Sequence, residues 1–417
     1  MINLYKFLGY LFIPLILLNT LFRIIINKED SKRVYERFGF TNFQKPQGKL
    51  IWIHAASVGE FKSASKLIDI LYNKYNLLIT TTTLTASNYA KKNFNKKIIH
   101  QFAPFDVSFC VNRFLNKWKP DCVIWIESDL WPITLNLIKR KSINSLLVNS
   151  RISPKSFKKW KFFKSFFTSI LSSFEEIYAQ SILDKERIEF LSKRKIKFMG
   201  NLKLSFIEKK NELNISQYVK KYIDEKKIIM FASTHHNEEK ILFSTIKNFV
   251  SKGFKVFIAP RHPERSSQIK KFFKQKNIDC DTIDSTKQFK DINIINSLGE
   301  MTFFYDLCDI VILGGSFVNK GGHNPIEVAH NNCVVITGPN IYNWENIYLE
   351  MLEIKGCYIV YDVKELNFLI AKLLNNQNDI VKLKNNAKRF AIDNFQKSQK
   401  LLNQIENFVK NIDVKSA

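Results

Sequence analysis

The chain has 417 residues, which is enough for two domains with complete hydrophobic cores. Its hydrophobic content of 45% argues against a disordered chain, and its formal net charge of +26 predicts a polyanionic partner: nucleic acid, an anionic membrane or a phosphorylated substrate. The six cysteines lack C-x-x-C spacing, so we expect buried, reduced thiols with no disulfide framework and no zinc site.

The N-terminal segment is apolar from Leu4 to Ile26 except for Lys6 and Arg23. About twenty apolar residues suffice to span a bilayer. No small-residue cleavage site follows, and the basic residues between Lys28 and Arg37 favour a cytoplasmic location for the rest of the chain. We predict one membrane-anchoring or interfacial helix over residues 1–27, with an ordinary core helix as the alternative.

Beyond this segment, short β-branched runs alternate with helical periods, which predicts βαβ units and parallel sheets. The polar, lysine-rich stretch 206–224 is the predicted linker between a first domain at 28–205 and a second at 225–380. Helices at 381–417 are predicted to pack back on the first domain. Two doubly wound Rossmann-like domains of this kind face a cleft, and ligands bind beyond the carboxyl ends of their strands.

Polar residues follow the predicted strands of the first domain. Ser57, Gly59 and Glu60 come after "IWIHAA", where a glutamate at a helix start is commonly a favourable partner of the helix dipole. The functional interpretation is a general base behind a glycine that admits substrate. Glu127 and Asp129 follow "VIWI", and Asp129 can be a simple helix cap. Arg151 follows the next strand as a candidate anion ligand, and Lys203 lies at the end of the first domain.

The second domain repeats this arrangement. Ser233, Thr234 and His235 follow its first strand and can either cap a helix or form an anion site. Arg261 and His262 stand at the end of the next strand, where an arginine is a natural bidentate ligand of phosphate. A loop before a later helix adds the candidates Gly299, Glu300 and Met301.

A glycine-rich stretch, "GGSFVNKGGHNPIE", lies between a strand and a helix. Asn324 is a candidate N-cap with Glu327 three residues on, which resembles a capping box. A cap needs no glycine pairs, so the alternative is a ligand lying against bare backbone, with a phosphate at the helix N-terminus and Glu327 at ribose hydroxyls. The candidate residues of this stretch are Gly315, Ser316, Gly322, His323, Asn324, Pro325, Ile326 and Glu327.

Several enzyme classes lack their motif here. There is no G-x-G-x-x-G after the first strand, no G-x-x-x-x-G-K-[ST] and no H-E-x-x-H. Histidines and acids lack compact ligand spacing, so we expect no required metal and no cofactor. The aromatic residues lie mostly in core-like runs, which argues against a nucleic acid partner.

Eight segments, taken together, resemble the 3-deoxy-D-manno-octulosonic acid (Kdo) transferases. They are "WIHAASVGE", "ESDLWP", "NSRIS", "GNLK", "STHHNEE", "PRHPER", "GEM" and "GGSFVNKGGHNPIE", in family order over nearly the whole chain after the N-terminal segment. The resemblance implies an α/β GT-B glycosyltransferase fold, usually with an N-terminal anchor in the bacterial inner membrane. It also implies CMP-Kdo as donor and lipid IVA, a lipid A precursor of lipopolysaccharide synthesis, as acceptor.

The resemblance also implies residue roles. Glu60 matches the proposed base, which would deprotonate the acceptor hydroxyl. The hydroxyl oxygen would then displace CMP with inversion at the anomeric carbon of Kdo, and no metal would be required. Glu127, Asp129 and Lys203 match positions near the reacting centre, although the family more often has Glu at 129. The CMP-binding segments match Arg261, His262, Gly299, Glu300, Met301 and Asn324 through Glu327.

Two alternatives stay open from the sequence. One is another GT-B transferase with a UDP-sugar donor, and the other is a non-catalytic, basic, membrane-associated binding protein. The stretch "SPKSFKKWKFFKSFF" interleaves lysines with Trp160 and several phenylalanines, which favours a helix facing an anionic membrane over a core helix with a solvated lysine face.

Overall fold

A computed structural model describes residues 1–94, 97–205, 227–283, 289–296 and 301–415 of the chain. The chain divides into two units, one formed by Met1–Phe206 with Phe395–Ala417 and the other by Ile207–Asn394. The boundary between residues 394 and 395 falls inside the last helix. The predicted linker at 206–224 lies outside the described residues.

The N-terminus of the first unit forms two helices, α1 (Ile2–Leu11) and α2 (Ile13–Ile25), where one helix was predicted. Pro14 lies in the first turn of α2; its ring cannot continue a preceding helix, because it has no N–H and would clash with a carbonyl one turn back. No helix of the described ranges is long and apolar enough to cross a membrane alone. The two helices together meet that length and composition but are bent by 58°.

The rest of the first unit is a six-stranded parallel sheet in the order β3-β2-β1-β4-β5-β6. Each strand leads into a helix, as expected for right-handed βαβ crossovers. The strands are β1 (Leu50–His54), β2 (Asn76–Thr81), β3 (Ile99–Phe102), β4 (Cys122–Ile126), β5 (Asn144–Ser150) and β6 (Glu176–Ala179). The helices are α3 (Val58–Leu71), α4 (Leu84–Phe94), α5 (Ser108–Trp118), α6 (Pro132–Arg140), α7 (Pro154–Trp160), α8 (Lys164–Leu171) and α9 (Ile182–Ser192).

Both faces of this sheet are covered, which explains why its strands are almost uniformly apolar. Trp52, Trp125 and Phe114 pack on one face. The other face packs against α3 and against Leu401 and Ile405 of the last helix. The strands are parallel, so the polar residues that follow them lie together at the carboxyl edge of the sheet.

The second unit contains a seven-stranded parallel sheet in the order β13-β12-β11-β7-β8-β10-β9. Its strands are β7 (Ile228–Thr234), β8 (Lys255–Pro260), β9 (Cys280–Ile283), β10 (Ile292–Ile295), β11 (Ile310–Leu313), β12 (Val334–Thr337) and β13 (Cys357–Ile359). Its helices are α10 (Glu238–Ile241), α11 (Phe243–Ser251), α12 (Ser266–Lys274), α13 (Met301–Asp306), α14 (Pro325–His330), α15 (Glu345–Glu353) and α16 (Val363–Leu374). The chain ends in α17 (Gln377–Lys415).

These two sheets confirm the predicted α/β class with doubly wound parallel sheets. The six cysteines are all buried and free, as the sequence predicted. The pairing of β7 with β8 is irregular between Ala232 and Thr234, and Ser233 adopts a left-handed backbone conformation with φ 59°. Such an irregularity re-aims the chain at the strand end, and the candidate site of the second unit begins there.

Candidate active site

Glu60 lies in the first turn of α3, where it completes a capping box with Ser57. The Ser57 N–H donates to Glu60 Oε2 at 3.1 Å, and the Glu60 N–H donates to Ser57 Oγ at 3.3 Å. The helix-start interpretation of Glu60 is therefore confirmed. The cap does not exclude a second role for Glu60, because its carboxylate is held at the carboxyl end of β1 in a largely buried position.

Other acidic groups surround Glu60. Burial, together with the charges of Glu127 and Asp129, raises the pKa of Glu60 to about 7, although hydrogen bonds from backbone N–H groups oppose the rise. Glu127 follows β4 in a left-handed conformation with φ 61°, which turns its side chain toward Lys203. Lys203 Nζ lies 2.8 Å from Glu127 Oε1. The first unit thus brings Glu60, Glu127, Asp129 and Lys203 together.

Asp129 does not cap α6, contrary to one interpretation of its position. The N–H groups of Ile133 and Thr134 at the start of that helix donate to Asp106, at 3.0 and 2.7 Å. Asp129 Oδ2 instead accepts a hydrogen bond from Trp131 Nε1 at 3.0 Å. A cap provided by a residue so distant in sequence leaves no local pattern, which is why the sequence did not reveal it.

His54, at the end of β1, was not a candidate from the sequence. It is fully buried, its Nδ1 lies 2.8 Å from Thr80 Oγ1, and its Nε2 lies 3.7 Å from Asp129 Oδ2. Its position between an apolar strand and a run of small residues was the available signal. The structure places it beside Asp129 at a distance too long for a hydrogen bond, and its Nε2 is buried without a hydrogen-bond partner among the described residues.

Arg151 follows β5 and is half-buried. It lies near Asp184, whose pKa is raised by burial and lowered by the charges of Arg151 and Arg187. Asp184 Oδ1 accepts a hydrogen bond from the Ile152 N–H at 2.9 Å. Among the described residues, the interaction found for Arg151 is with the start of α9.

In the second unit, Glu238 organises the glycine-rich loop. Its carboxylate accepts hydrogen bonds from the backbone N–H groups of His235, Gly315, Ser316 and Phe317, at 2.7, 2.7, 3.1 and 3.0 Å. A fully buried carboxylate needs such donors. The loop amides that could have received a phosphate are therefore occupied by a side chain of the protein.

The glycines of this loop have neighbours in the protein. A Cβ on Gly314 would lie 2.8 Å from Glu238 Oε2. A Cβ on Gly315, whose φ is +67°, would lie 3.1 Å from the rings of His235 and His323. These neighbours account for the glycine pair without a ligand, and ligand contact at Gly315 stays a prediction. Gly322 is also buried against the backbone of Asn340.

Ser316 and Thr234 are buried and occupied, so the structure corrects their assignment to substrate binding. Ser316 Oγ donates to the Leu313 carbonyl and accepts from the Gly338 N–H. Thr234 Oγ1 donates to Glu239 Oε1 at 2.6 Å. Neither Ser233 nor Thr234 caps the following helix, because the N-cap position of α10 is held by Asn237.

A cluster of cationic and imidazole side chains remains accessible beside these buried groups. His235 and His323 lie with their Nε2 atoms 2.9 Å apart, and the rings of His235 and His262 are 5.9 Å apart. Burial and the charges of Arg261 and the neighbouring histidines lower the pKa of His323 to about 4. Arg261 is exposed at the end of β8.

The predicted N-cap of α14 is confirmed: Asn324 Oδ1 accepts from the Ile326 N–H at 3.0 Å. Glu327 is exposed and accepts from Asn324 Nδ2 at 3.2 Å, so the reciprocal bond of a capping box is replaced by a contact between side chains. Pro325 and Ile326 are buried, and Met301 begins α13. Gly299 and Glu300 lie outside the described residues.

No group of three or more His, Cys, Asp or Glu side chains in the described ranges is arranged to hold a metal ion. The chemistry available at these positions is that of carboxylates, imidazoles and ammonium or guanidinium groups. A carboxylate with a pKa near 7 can accept a proton near neutral pH. An arginine beside imidazoles can bind an anion.

Comparison with solved structures defines the class. A glycosyltransferase from Rickettsia africae matches with a TM-score of 0.54 at 15% identity, covering 88% of this chain and 100% of that one. The UDP-GlcNAc 2-epimerase from Neisseria meningitidis matches with a TM-score of 0.55 at 12% identity, covering 86% and 100%. The chain therefore has the GT-B fold, which is shared by enzymes of different chemistry.

Sequence comparison defines the family. Residues 32–206 match the family model described as 3-Deoxy-D-manno-octulosonic-acid transferase (kdotransferase). The 3-deoxy-D-manno-octulosonic acid transferase of Rickettsia bellii is 34% identical over 421 residues, covering 97% of this chain and 98% of the relative. That of Haemophilus influenzae is 28% identical, covering 91% and 92%. The chain belongs to the Kdo transferase family and is a glycosyltransferase.

Proposed function

We propose that the protein transfers Kdo from CMP-Kdo to a sugar hydroxyl of lipid IVA, with inversion at the anomeric carbon, in lipopolysaccharide synthesis. Glu60 removes the proton from the acceptor hydroxyl, the hydroxyl oxygen attacks the anomeric carbon, and CMP leaves from the opposite face. Family membership supports the donor sugar. The observation that carries the mechanism is the position of Glu60 in the first turn of α3, largely buried and beside Glu127 and Asp129. These surroundings raise its pKa to about 7, which suits a base at neutral pH.

The neighbours of Glu60 support this role. Lys203 neutralises Glu127 through the 2.8 Å ion pair, which limits the electrostatic cost of a second carboxylate near the base. Asp129 is a third acidic group and acts on Glu60 through its charge. Burial and the charges of Glu127 and Asp129 hold the pKa of Glu60 at about 7, so its carboxyl can change protonation state near neutral pH.

The donor is assigned to the second unit. Arg261 and His262, at the end of β8, are exposed cationic or titratable groups suited to the phosphate of CMP. Glu327 is exposed at the start of α14 and suits ribose hydroxyls. Since phosphate is held by side chains in this proposal, departure of CMP needs no metal, and the activity is expected to persist in EDTA.

We propose that the first unit also binds the cytoplasmic leaflet of the inner membrane. Phe162 and Phe163 are 84% and 54% exposed between α7 and α8, a segment rich in lysine. Tyr5 of α1 packs on Phe166 of α8, so the N-terminal helices adjoin this segment. Large apolar side chains of these helices are more than half exposed: Leu4, Phe7, Leu11, Leu15, Leu18, Leu21, Phe22 and Ile25. An apolar and basic surface of this kind suits anionic lipid.

The test is transfer from CMP-Kdo, generated in situ, to lipid IVA in the presence of EDTA, with products resolved by mass. Glu60→Gln is the informative variant, because glutamine can keep the capping box with Ser57 but cannot act as a base. We expect a loss of roughly 100-fold or more in kcat. Ser57→Ala is the matched control: it weakens the cap, leaves the base, and is expected to retain most of the activity.

The product mass also counts the Kdo residues added. Transfer from a UDP-sugar in place of CMP-Kdo would support the alternative GT-B activity. Full activity of Glu60→Gln would keep the reaction and remove Glu60 from its role. No transfer by the folded wild-type protein would refute the proposed donor and acceptor together.

A further inference from the structure

The imidazole rings of His235 and His323 form a closely coupled pair. Their Nε2 atoms are 2.9 Å apart, and the ring planes are inclined by only 12°. A hydrogen bond at this distance requires one Nε2 to carry a proton and the other to accept it. In the neutral pair, therefore, the ring that donates from Nε2 has an unprotonated Nδ1, and the ring that accepts at Nε2 has a protonated Nδ1.

The surrounding backbone holds this pair in place. Gly315 lets both rings approach, because any Cβ there would lie 3.1 Å from each of them. The N–H groups of His235 and Gly315 are both bound to Glu238. Tyr348 donates a hydrogen bond to the carbonyl of His323 at 2.9 Å. The backbone around the two rings is thus held from three places in the fold: the loop at Gly315, Glu238 in α10 and Tyr348 in α15.

The pair lies in a predominantly cationic environment. Burial is the main cause of the lowered pKa of both histidines, and neighbouring positive charges add to it. Arg265 is paired with Glu239, and His262 lies 3.6 Å from Glu264, but Arg261 forms no ion pair with any residue of the described ranges. The titratable and charged groups that face the pair are Arg261, His262, Arg265, Lys320, Glu238, Glu239 and Glu264.

We propose that the pair formed by His235 and His323 takes up one proton when the phosphate group of the nucleotide donor binds beside Arg261. Burial and the nearby positive charges keep the empty pair neutral, and the bound anion offsets those positive charges. A solvent proton then adds to the unprotonated Nδ1, so that both rings carry Nδ1–H and the shared Nε2–H is retained. The imidazolium stabilises the phosphate as it gains charge on leaving. This inference rests on the proposed CMP donor.

Calorimetry of CMP binding in buffers of different ionisation enthalpy, at pH 7.5, measures the protons taken up per nucleotide. The variant is His323→Gln, which keeps a side chain able to hydrogen-bond His235. The matched control is His236→Gln, because His236 is exposed and adjacent in sequence. CMP's own phosphate contributes equally in all three proteins. We expect wild type and the control to take up close to one proton more than His323→Gln.

The same linkage has a pH signature. A pair that is neutral in the free protein and protonated in the complex makes CMP affinity fall by up to about tenfold per pH unit between its free-state and its bound-state pKa, and affinity is flat above the bound-state pKa. We expect this fall between pH 6.5 and 8.5 in wild type, and a flatter profile in His323→Gln. Equal proton uptake in wild type and the variant would overturn the inference while leaving CMP as donor. No binding of CMP to any of the proteins would overturn both.

A second measurement does not depend on the variant's folding. The chain has seven histidines, so ring-carbon resonances of labelled histidine can be followed in the wild-type protein. Without CMP, His235 and His323, like the buried His100, are expected to titrate below the ordinary histidine range. With CMP, the pair of His235 and His323 is expected to gain one shared proton near or above neutrality, and an unchanged titration of its resonances in the saturated complex would refute the proton uptake.

Discussion

The pKa of Glu60 gives the sharpest test of the proposed base. A carboxyl with a pKa of about 7 is only one-tenth ionised at pH 6, so kcat/KM of the wild type should be roughly tenfold below its plateau there. An ordinary glutamate would give a flat profile over the same range. The assay is the initial rate of Kdo transfer at limiting acceptor, measured from pH 5.5 to 9 at constant ionic strength.

Changing the neighbouring charge should move this profile. Glu127→Gln removes the negative charge that, after burial, contributes most to the raised pKa, so the acid limb should move to lower pH. Asp69→Asn is the matched control, because Asp69 lies nine residues further along α3, about 14 Å away and beyond the screening length in physiological salt. It should leave the limb unchanged.

Stability supplies an independent reading of the same pKa. A carboxyl whose pKa rises from 4.5 to about 7 on folding costs nothing below pH 4.5 and destabilises the folded state progressively as the pH rises from 4.5 to 7, by ~3 kcal/mol in total. Glu60→Gln escapes this cost. Its melting temperature relative to wild type should therefore be higher at pH 8 than at pH 5. A kcat/KM profile that stays flat down to pH 5.5, together with parallel stability profiles, would refute the raised pKa.

Three further predictions follow from single side chains. Lys203→Met removes a positive charge beside the acidic cluster, so the acid limb of kcat/KM should move above that of wild type as the pKa of Glu60 rises further. Glu238→Gln places an NH₂ group against backbone donors and should lower the free energy of unfolding by about 1–3 kcal/mol, measured by urea titration of the full chain. Phe162→Ser should weaken binding to vesicles containing anionic lipid by roughly tenfold or more in a flotation assay, because an aromatic side chain contributes ~2 kcal/mol on transfer from water; Tyr361→Ser, a substitution of an equally exposed aromatic residue of the second unit, should not.

Much of the fold follows from local pattern. The alternation of β-branched runs with amphipathic periods was enough to predict parallel sheets, because a strand buried on both faces must be apolar throughout. The N-terminal segment shows the limit of local pattern, because its composition suggested one span but the helix breaks at Pro14. Apolar content measures what a segment prefers to contact, whereas a single proline decides whether the backbone can remain continuous.

Site residues could be predicted where a functional residue also has a recognisable local sequence pattern. Glu60 stood out because it follows a strand, small residues and a glycine. Contacts between residues distant in sequence were not predictable: Asp106 caps α6, and Glu238 binds the N–H groups of residues 315–317. A carboxylate in the first turn of a four-residue helix carries no sign that it belongs to a loop nearly eighty residues away.

The glycine-rich loop shows why a pattern of glycines misleads. A glycine is required wherever something approaches the backbone closely, and sequence alone does not say whether that is a ligand or another part of the protein. At Gly315 the close neighbours are the imidazoles of His235 and His323. The glycine therefore serves the proposed anion site indirectly, by allowing two histidines to share a proton beside Arg261. Gly315→Ala should accordingly disturb the proton uptake that accompanies CMP binding, an effect that a glycine lining only a ligand cavity would not produce.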